Sequence, residues 1–149
     1  MLDDCFDDDF EWDELLDMIE EGKVVPVLGH ELLEAAVDGV PTTLQRLLAE
    51  RLVAAHGLKA ELRPHFELAC AVTAMLEQPG VHPDAPYPAV NKMRKREPPF
   101  PLPEALRKLA SIRPLDLFVS ITPDNLMAVA LDSVRHGGNK LTKEIKFAP

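Results

Sequence analysis

The stretch Lys23–Leu32, with the sequence KVVPVLGHEL, constrains the fold of this chain more than any other. It predicts a short strand, Val24–Leu28, followed by a turn at Gly29 into a helix that begins near Glu31. A strand that is apolar on both faces is typical of a parallel sheet covered by helices on either side. A helix N-terminus gathers unpaired backbone N–H groups, and the helix dipole there favours an anion. The stretch therefore predicts an anion-binding turn.

A second apolar run, Leu115–Ile121, predicts another strong strand, and alternation over Leu141–Phe147 predicts a last one. Because Pro26 has no N–H, we expect the first strand to lie near a sheet edge or to carry a local irregularity. Asp38-Gly39 predicts a turn. Helical spacing and end signals predict helices over Trp12–Ile19, Glu31–Val37, Phe66–Leu76 and Ala89–Arg96. They also predict one that Pro41 and the Thr42-Thr43 pair open and His56-Gly57 ends, one from Pro103, and one capped by Thr122 with Pro123 at its first position.

Strands that alternate with helices predict an α/β fold with a small, mostly parallel sheet flanked by helices. Ligands of such sheets bind beyond the carboxyl ends of the strands. If the two strongest strands are neighbours, the turns at residues 29–31 and 122–125 form one crevice. No pattern repeats within the chain.

Charge is concentrated at the N-terminus. The net charge is −9, and the first fourteen residues contribute eight negative charges and no lysine or arginine, which leaves −1 for the rest. We therefore expect an acidic leader over residues 1–11 and one domain over 12–149, with a proline-rich excursion at 79–103 that holds eight of the 14 prolines. The leader would repel phosphates, so nucleic acid is not an expected partner.

The remaining composition points to an ordinary globular domain. The two cysteines, Cys5 and Cys70, are far apart, which disfavours a zinc site or a disulfide framework and favours a reducing cytoplasm. We expect Cys70 to be a small core residue. No apolar run reaches the ~20 residues that span a bilayer, so no membrane partner is expected. The basic cluster Lys92–Arg96 is interpreted as a solvated helix face, with contact to the leader, a partner or an anion as alternatives.

Three stretches together resemble the sirtuin-like domains of bacterial immune and signalling proteins. They are EGKVVPVLG (residues 21–29), PLPEALRKLASI (101–112) and LFVSITPDNLMAVALDSVRHGG (117–138), and the resemblance runs in order over about residues 10–149. It implies a Rossmann-like three-layer sandwich, with Pro149 reached before such a sheet would be complete. For active members it implies NAD binding and hydrolysis. Such domains often precede a toll/interleukin-receptor, nucleotide-oligomerisation or other effector module, so a protein partner or a fused effector is implied as well.

The resemblance is weakest where the chemistry would occur. Active relatives carry Gly-Ala-Gly-x-Ser after the first strand, whereas here Gly29 is followed by His30, Glu31 and Leu32. A carboxylate at Glu31 would repel a phosphate, and the φ freedom of a glycine is lost there. The second motif, Thr-Thr-Asn-aromatic-Asp, corresponds to Ser120, Ile121, Thr122, Pro123 and Asp124. Thr122 thus replaces the asparagine that orients the nicotinamide ribose or a catalytic water, and Asn125 follows the retained Asp124.

The implied cofactor-binding residues are Gly29, His30, Glu31, Thr122, Asp124 and Asn125, with NAD or ADP-ribose as the ligand. His30 with Glu31 is a candidate acid–base pair, and Asp124 is a second catalytic candidate. For Asp124 and Thr122 the favoured interpretation is structural, as an acid and a cap at a helix N-terminus. No histidines have metal-ligand spacing, so no metal site is expected. Three functions remain open: a catalytically degenerate sensory or assembly module, an active NAD hydrolase, and a structural protein-interaction domain.

Overall fold

The computed structural model describes residues 8–122 and 124–145, with side chains from Glu11 onward. These residues form a mixed α/β fold whose four strands make two small sheets. In chain order the elements are α1 (Asp8–Glu20), β1 (Val27–Leu28), a 3₁₀ turn (His30–Leu32), β2 (Glu34–Val37), β3 (Val40–Thr43), α2 (Leu44–His56), α3 (Glu67–Leu76), α4 (Pro86–Arg94), α5 (Glu104–Ser111), β4 (Val119–Ser120) and α6 (Leu126–Arg135).

Helix α2 lies at the centre of the hydrophobic core. Its Thr43 N-cap accepts a hydrogen bond from the Arg46 amide at 3.2 Å, and Gly57 closes its C-terminus as the sequence predicts. Pro41, which was expected to open the helix, lies in β3 instead. Leu48 and Leu52 of this helix are almost completely buried, at 1% and 0% exposure. Each such leucine contributes roughly 1.5–3 kcal/mol through burial. The same apolar cluster includes buried residues of α3, α4, α5 and α6, so α2 to α6 share one core.

Strands β1 and β4 pair in parallel, with Val27 opposite Val119 and Leu28 opposite Ser120. The Val119 amide donates to the Pro26 carbonyl at 2.9 Å, and the Ile121 amide donates to the Leu28 carbonyl at 3.1 Å. The two apolar runs are thus neighbours, which is the condition for a shared crevice, although each strand is only two residues long and both residues of β4 are exposed. Because this sheet has two strands among the described residues, β1 is an edge strand, which agrees with the proline at its start.

The predicted helix over Glu31–Val37 is wrong. Glu34–Val37 form β2, which pairs antiparallel with β3, and only a single 3₁₀ turn follows Gly29. The turn between the strands explains the outcome, because Asp38 and Gly39 both have positive φ, at 52° and 78°. An Asp-Gly pair between β-capable residues is among the strongest local signals for a two-residue hairpin, and it prevails over the helix propensity of the alanines.

Other boundaries differ from the prediction as well. Helix α1 begins at Asp8, inside the expected leader, and α4 begins at Pro86 within the proline-rich excursion. Helix α6 begins at Leu126 with Asn125 as N-cap, so Thr122 is not its cap; Pro123 lies outside the described residues. Residues 141–145 do not form a strand, and Phe147 lies outside the described part. Cys70 is half-buried rather than a core residue.

Two arginines tie helices together by capping a neighbour rather than their own helix. Arg51 of α2 donates to the carbonyls of Met93, Arg96 and Pro98 at 3.1, 3.0 and 2.6 Å, at the C-terminal end of α4. Arg135 of α6 donates to the carbonyls of Ala110 and Ile112 at 2.8 and 2.7 Å, at the end of α5. Each arginine therefore fixes the chain at and just beyond the C-terminal end of a neighbouring helix.

Within residues 8–122 and 124–145, no helix has the length and apolarity required to span a bilayer.

Candidate functional site

The carboxyl ends of β1 and β4 form a crevice, as parallel pairing requires. His30, which follows β1, and Thr122, which follows β4, line the same small cavity. The rest of its lining is largely aliphatic and comes from the 3₁₀ turn, α2, α3 and the end of β4: Leu33, Leu44, Gln45, Leu48, Leu68 and Ile121. Two of the six sequence-predicted site residues thus meet in one cavity.

This cavity does not fit a dinucleotide. Its volume is about 70 Å³, whereas ligand pockets of proteins measure roughly 300–1,000 Å³. No lysine or arginine lines it to balance a pyrophosphate. The core leucines Leu44 and Leu48 form its floor and lie at 4% and 1% exposure, so the space cannot widen without opening the core.

The turn after β1 also lacks the features of an anion site. The helix expected from Glu31 is a three-residue 3₁₀ turn, too short for a helix dipole to build up, and the Leu33 amide donates to the His30 carbonyl at 3.0 Å. Gly29 has φ −100° and ψ 176°, an ordinary extended conformation. A Cβ at Gly29 would meet nothing within 4 Å, so no close approach of backbone requires a glycine here.

His30 and Glu31 do not form an acid–base pair in the described residues. The Nε2 atom of His30 is buried and has no hydrogen-bond partner, while Glu31 is exposed. Adjacent residues in the 3₁₀ turn point in different directions, and this separates the imidazole from the carboxylate. No nucleophilic side chain other than the Thr122 hydroxyl lines the cavity with His30.

Asp124 and Thr122 make local hydrogen bonds. Asp124 Oδ1 accepts from the Leu126 amide at 2.8 Å, which stabilises the first turn of α6, while Oδ2 is buried without a partner. The Thr122 hydroxyl pairs with the Ser120 hydroxyl at 2.7 Å. The Asp124 contact is the one that a structural acid at a helix N-terminus makes, and Asp124 does not line the crevice cavity.

Asn125 faces a different part of the molecule. Its Oδ1 accepts a hydrogen bond from Arg94 Nη1 at 3.4 Å, and Arg94 Nη2 donates to Asn91 Oδ1 at 3.1 Å. Arg94 is half-buried and its Nε has no partner, so it does not belong to a solvated helix face, as the basic cluster was expected to do. Lys92, Lys95 and Arg96 are exposed as expected.

Arg94 borders a second and larger cavity, of about 470 Å³, between α3 and α4. It is lined mainly by apolar side chains: Val72, Leu76, Pro83, Pro86, Tyr87, Val90, Asn91 and Arg94. Sequence reasoning did not identify this cavity. The available signal was the spacing of Pro86, Val90 and Arg94, which places all three on one face of α4.

The half-buried thiol of Cys70 lies outside both cavities. Hydrogen bonds from the backbone and the side chain of Arg63 hold the pKa of Cys70 below its usual range. No group of three or more His, Cys, Asp or Glu side chains in the described part of the chain is arranged to hold a metal ion.

No protein-family model, curated protein or solved structure matches this chain.

Proposed function

We propose that this protein is a catalytically degenerate sirtuin-like domain that serves as an assembly or sensory module of a bacterial defence or signalling protein. In this proposal the parallel pair β1–β4 is the reduced counterpart of a Rossmann-like sheet. The order of the three resembling stretches supports the family. Two of these stretches contain β1 and β4, and the pairing of these two strands is consistent with it.

The observation that carries the proposal is the closed crevice at the strand ends. Leucine side chains and His30 occupy the space where a dinucleotide would lie, and about 70 Å³ remains. Asp124, the one acidic residue that the family motif retains, is engaged with the Leu126 amide. The chain keeps the aspartate of the family motif, but the crevice lacks the volume that NAD needs. This combination favours a role in protein contacts over a role in NAD hydrolysis.

Calorimetric titration with NAD and with ADP-ribose, together with an NAD-consumption assay, tests this proposal. We expect no saturable heat and no turnover. Turnover that Asp124→Ala abolishes, and that the exposed-site control Asp84→Ala retains, would overturn it in favour of an active NAD hydrolase. Light scattering at low and high salt tests the third function, a structural protein-interaction domain whose charged segments mediate contacts, and a monomer at both salt concentrations would count against it.

The second cavity favours a further candidate for the sensory role, the binding of a small apolar carboxylate. Its volume of about 470 Å³ lies within the range of ligand pockets, and its apolar walls end at Arg94. The two hydrogen-bond partners of Arg94 are neutral amides, and among the described residues no carboxylate pairs with it. An apolar acid would fill the cavity with its hydrocarbon part and pair its carboxylate with the Arg94 guanidinium.

Thermal-shift measurements with a panel of aliphatic and aromatic carboxylates and their primary amides test this candidate. We expect acids alone to raise the melting temperature, and Arg94→Gln to remove the effect while Lys92→Gln, an exposed position on the same helix, preserves it. Equal shifts from acids and amides, or none from either, would rule the candidate out.

A further inference from the structure

The outward face of the parallel pair is apolar and uncovered. Leu28 is buried and Phe118 packs against the core, whereas the residues that alternate with them in β1 and β4 and directly beside these strands are exposed. Their exposures are Val25 44%, Val27 65%, Leu117 61%, Val119 43% and Ile121 71%, and Ile121 also borders the crevice cavity. Parallel strands are ordinarily covered on both faces, and no element of the described residues covers this one. These five residues are called the sheet face below.

Helix α1 carries a second uncovered apolar surface. Trp12, Leu15, Leu16 and Ile19 follow the i, i+3, i+4, i+7 spacing of one helix face, and they are called the α1 stripe. Trp12, Leu15 and Leu16 are 62%, 37% and 54% exposed, and Ile19 is half-buried. From Glu11 to Glu20 no residue is buried.

The chain itself keeps these two surfaces apart. At the C-terminus of α1, Gly22 has φ 69°, and the Lys23 amide donates to the Met18 carbonyl at 2.9 Å. This is the hydrogen bond of a Schellman motif, which fixes the direction in which the chain leaves the helix. Only Lys23 to Pro26 then lead into β1, and the exposures of both surfaces show that neither one covers the other.

We propose that two copies of this chain associate with two-fold symmetry, with the α1 stripe of each copy on the sheet face of the other. The proposal names the partner of the assembly role proposed above, and it rests on that role. A two-fold axis makes such an exchange reciprocal, so one geometry covers all four exposed surfaces. Each sheet then gains the helical layer that a parallel pair normally has.

The distribution of exposed apolar side chains agrees with this arrangement. Eight of the eighteen exposed large apolar side chains among the described residues belong to the α1 stripe and the sheet face.

Charge is complementary as well. The flank of α1 away from the stripe is acidic, with Asp13, Glu14 and Asp17 exposed. The bond between Arg94 and Asn125 places the C-terminal end of α4, with exposed Lys92, Lys95 and Arg96, close to the chain that leaves β4. None of these three cations pairs with a carboxylate in residues 8–122 and 124–145. An α1 helix from a second copy would bring carboxylates to this end of the sheet.

Light scattering and sedimentation of the full chain over a wide concentration range test the proposal. We expect a species of twice the chain mass that dissociates on dilution. Trp12 is the single tryptophan, so its fluorescence reports on the stripe directly, and its emission should move to longer wavelength as the dimer dissociates. A monomer at all concentrations would overturn the proposal.

Paired variants separate this geometry from other dimers. Leu16→Glu and Val27→Thr should each weaken the dimer about tenfold or more, a change of ~1.4 kcal/mol. The controls are Met18→Glu, which makes the same kind of change off the stripe, and Val40→Thr, at a valine of similar exposure (61%) in β3. Threonine is well tolerated in strands, so Val27→Thr should still fold.

Mixing the two variants provides the sharpest outcome. The mixed dimer contains one intact stripe on one intact sheet face and places both substitutions in its other contact. Because substitutions at residues that touch are not additive, it should form more readily than the average of the two variant dimers. If Leu16→Glu weakens the dimer but Val27→Thr does not, α1 pairs with α1, and the proposal is overturned. A monomer that neither binds nor cleaves NAD refutes the dimer alone, whereas NAD turnover refutes the proposed function whatever the oligomeric state.

Discussion

At the scale of the residue, Arg135 makes contacts that its position in the sequence does not predict. It lies at the end of α6, where a cation is expected to stabilise the carbonyls of its own helix. Its guanidinium instead holds the carbonyls of Ala110 and Ile112, and its carbon atom Cζ lies 5.7 Å from the centroid of the Phe118 ring. One side chain thus joins α6, the end of α5 and the approach to β4.

Replacing this arginine should lower stability without changing the fold. Arg135→Met keeps much of the apolar stem but leaves two carbonyls without a charged donor, and we expect a loss of about 2–3 kcal/mol. The measurement is the free energy of unfolding from urea denaturation. Arg107→Met, at an exposed position of α5, is the matched control and should change stability by less than about 0.5 kcal/mol. Equal losses from both variants would contradict this role.

At the scale of the element, the β2–β3 hairpin requires a glycine in its turn, whereas the turn after β1 does not. Gly39 has φ 78°, so an alanine there should cost about 1–2 kcal/mol. Gly29 has extended backbone and open space, so Gly29→Ala should change stability by no more than about 0.5 kcal/mol. Thermal denaturation of the two variants gives the comparison. A large loss from Gly29→Ala would show that the turn needs glycine after all.

The segment after α6 depends on the ionisation of one carboxylate. Asp132 Oδ1 accepts from the Thr142 hydroxyl, the Thr142 amide and the Leu141 amide, at 2.6, 2.8 and 3.1 Å. The hydroxyl of Thr142 is the main cause that lowers the pKa of Asp132 below its ordinary value of 3.8, and the two amides add to it. The contribution to stability is therefore fully present above that ordinary value and is lost as the pH falls through the lower pKa of the folded state.

Amide hydrogen exchange of Leu141 and Thr142 measures this dependence. We expect protection at neutral pH that disappears in acid, and no such acid step in Asp132→Asn, where exchange should be fast throughout. Asp116→Asn, at a carboxylate that is 93% exposed, is the control and should retain the acid step. Protection that persists in acid would show that the carboxylate does not hold the segment.

At the scale of the whole molecule, the sequence predicts features that depend on local patterns. The apolar runs identify the two strands that pair, the threonine pair and His56-Gly57 locate the ends of α2, and helical spacing locates α3 to within a residue. The β2–β3 hairpin could have been predicted, because Asp38-Gly39 is a hairpin signal. The helix propensity of the flanking residues instead suggested a turn between helices. The arginine caps and the cavity at Arg94 depend on how distant helices meet, which no local pattern encodes.

The same limit applies to the candidate site. Parallel pairing correctly brings the segments after β1 and β4 together, and His30 and Thr122 share a cavity as a result. The volume of that cavity is set by Leu44 and Leu48, which belong to α2 and not to either motif. Asn125 was grouped with the crevice because of its place in the sequence, but it bonds Arg94 of α4.

The parallel pairing of β1 and β4 also affects how the chain folds while it is being synthesised. Val27 pairs with Val119, 92 residues later, so β1 leaves the ribosome long before its partner is made. At ~5–20 residues per second that interval is roughly 5–20 s. Throughout it, β1 presents unpaired backbone groups and apolar side chains while the helices between the two strands emerge. The newly made chain is thus most exposed to chaperones, and to mispairing with other nascent chains, at the segment that constrains its final fold most.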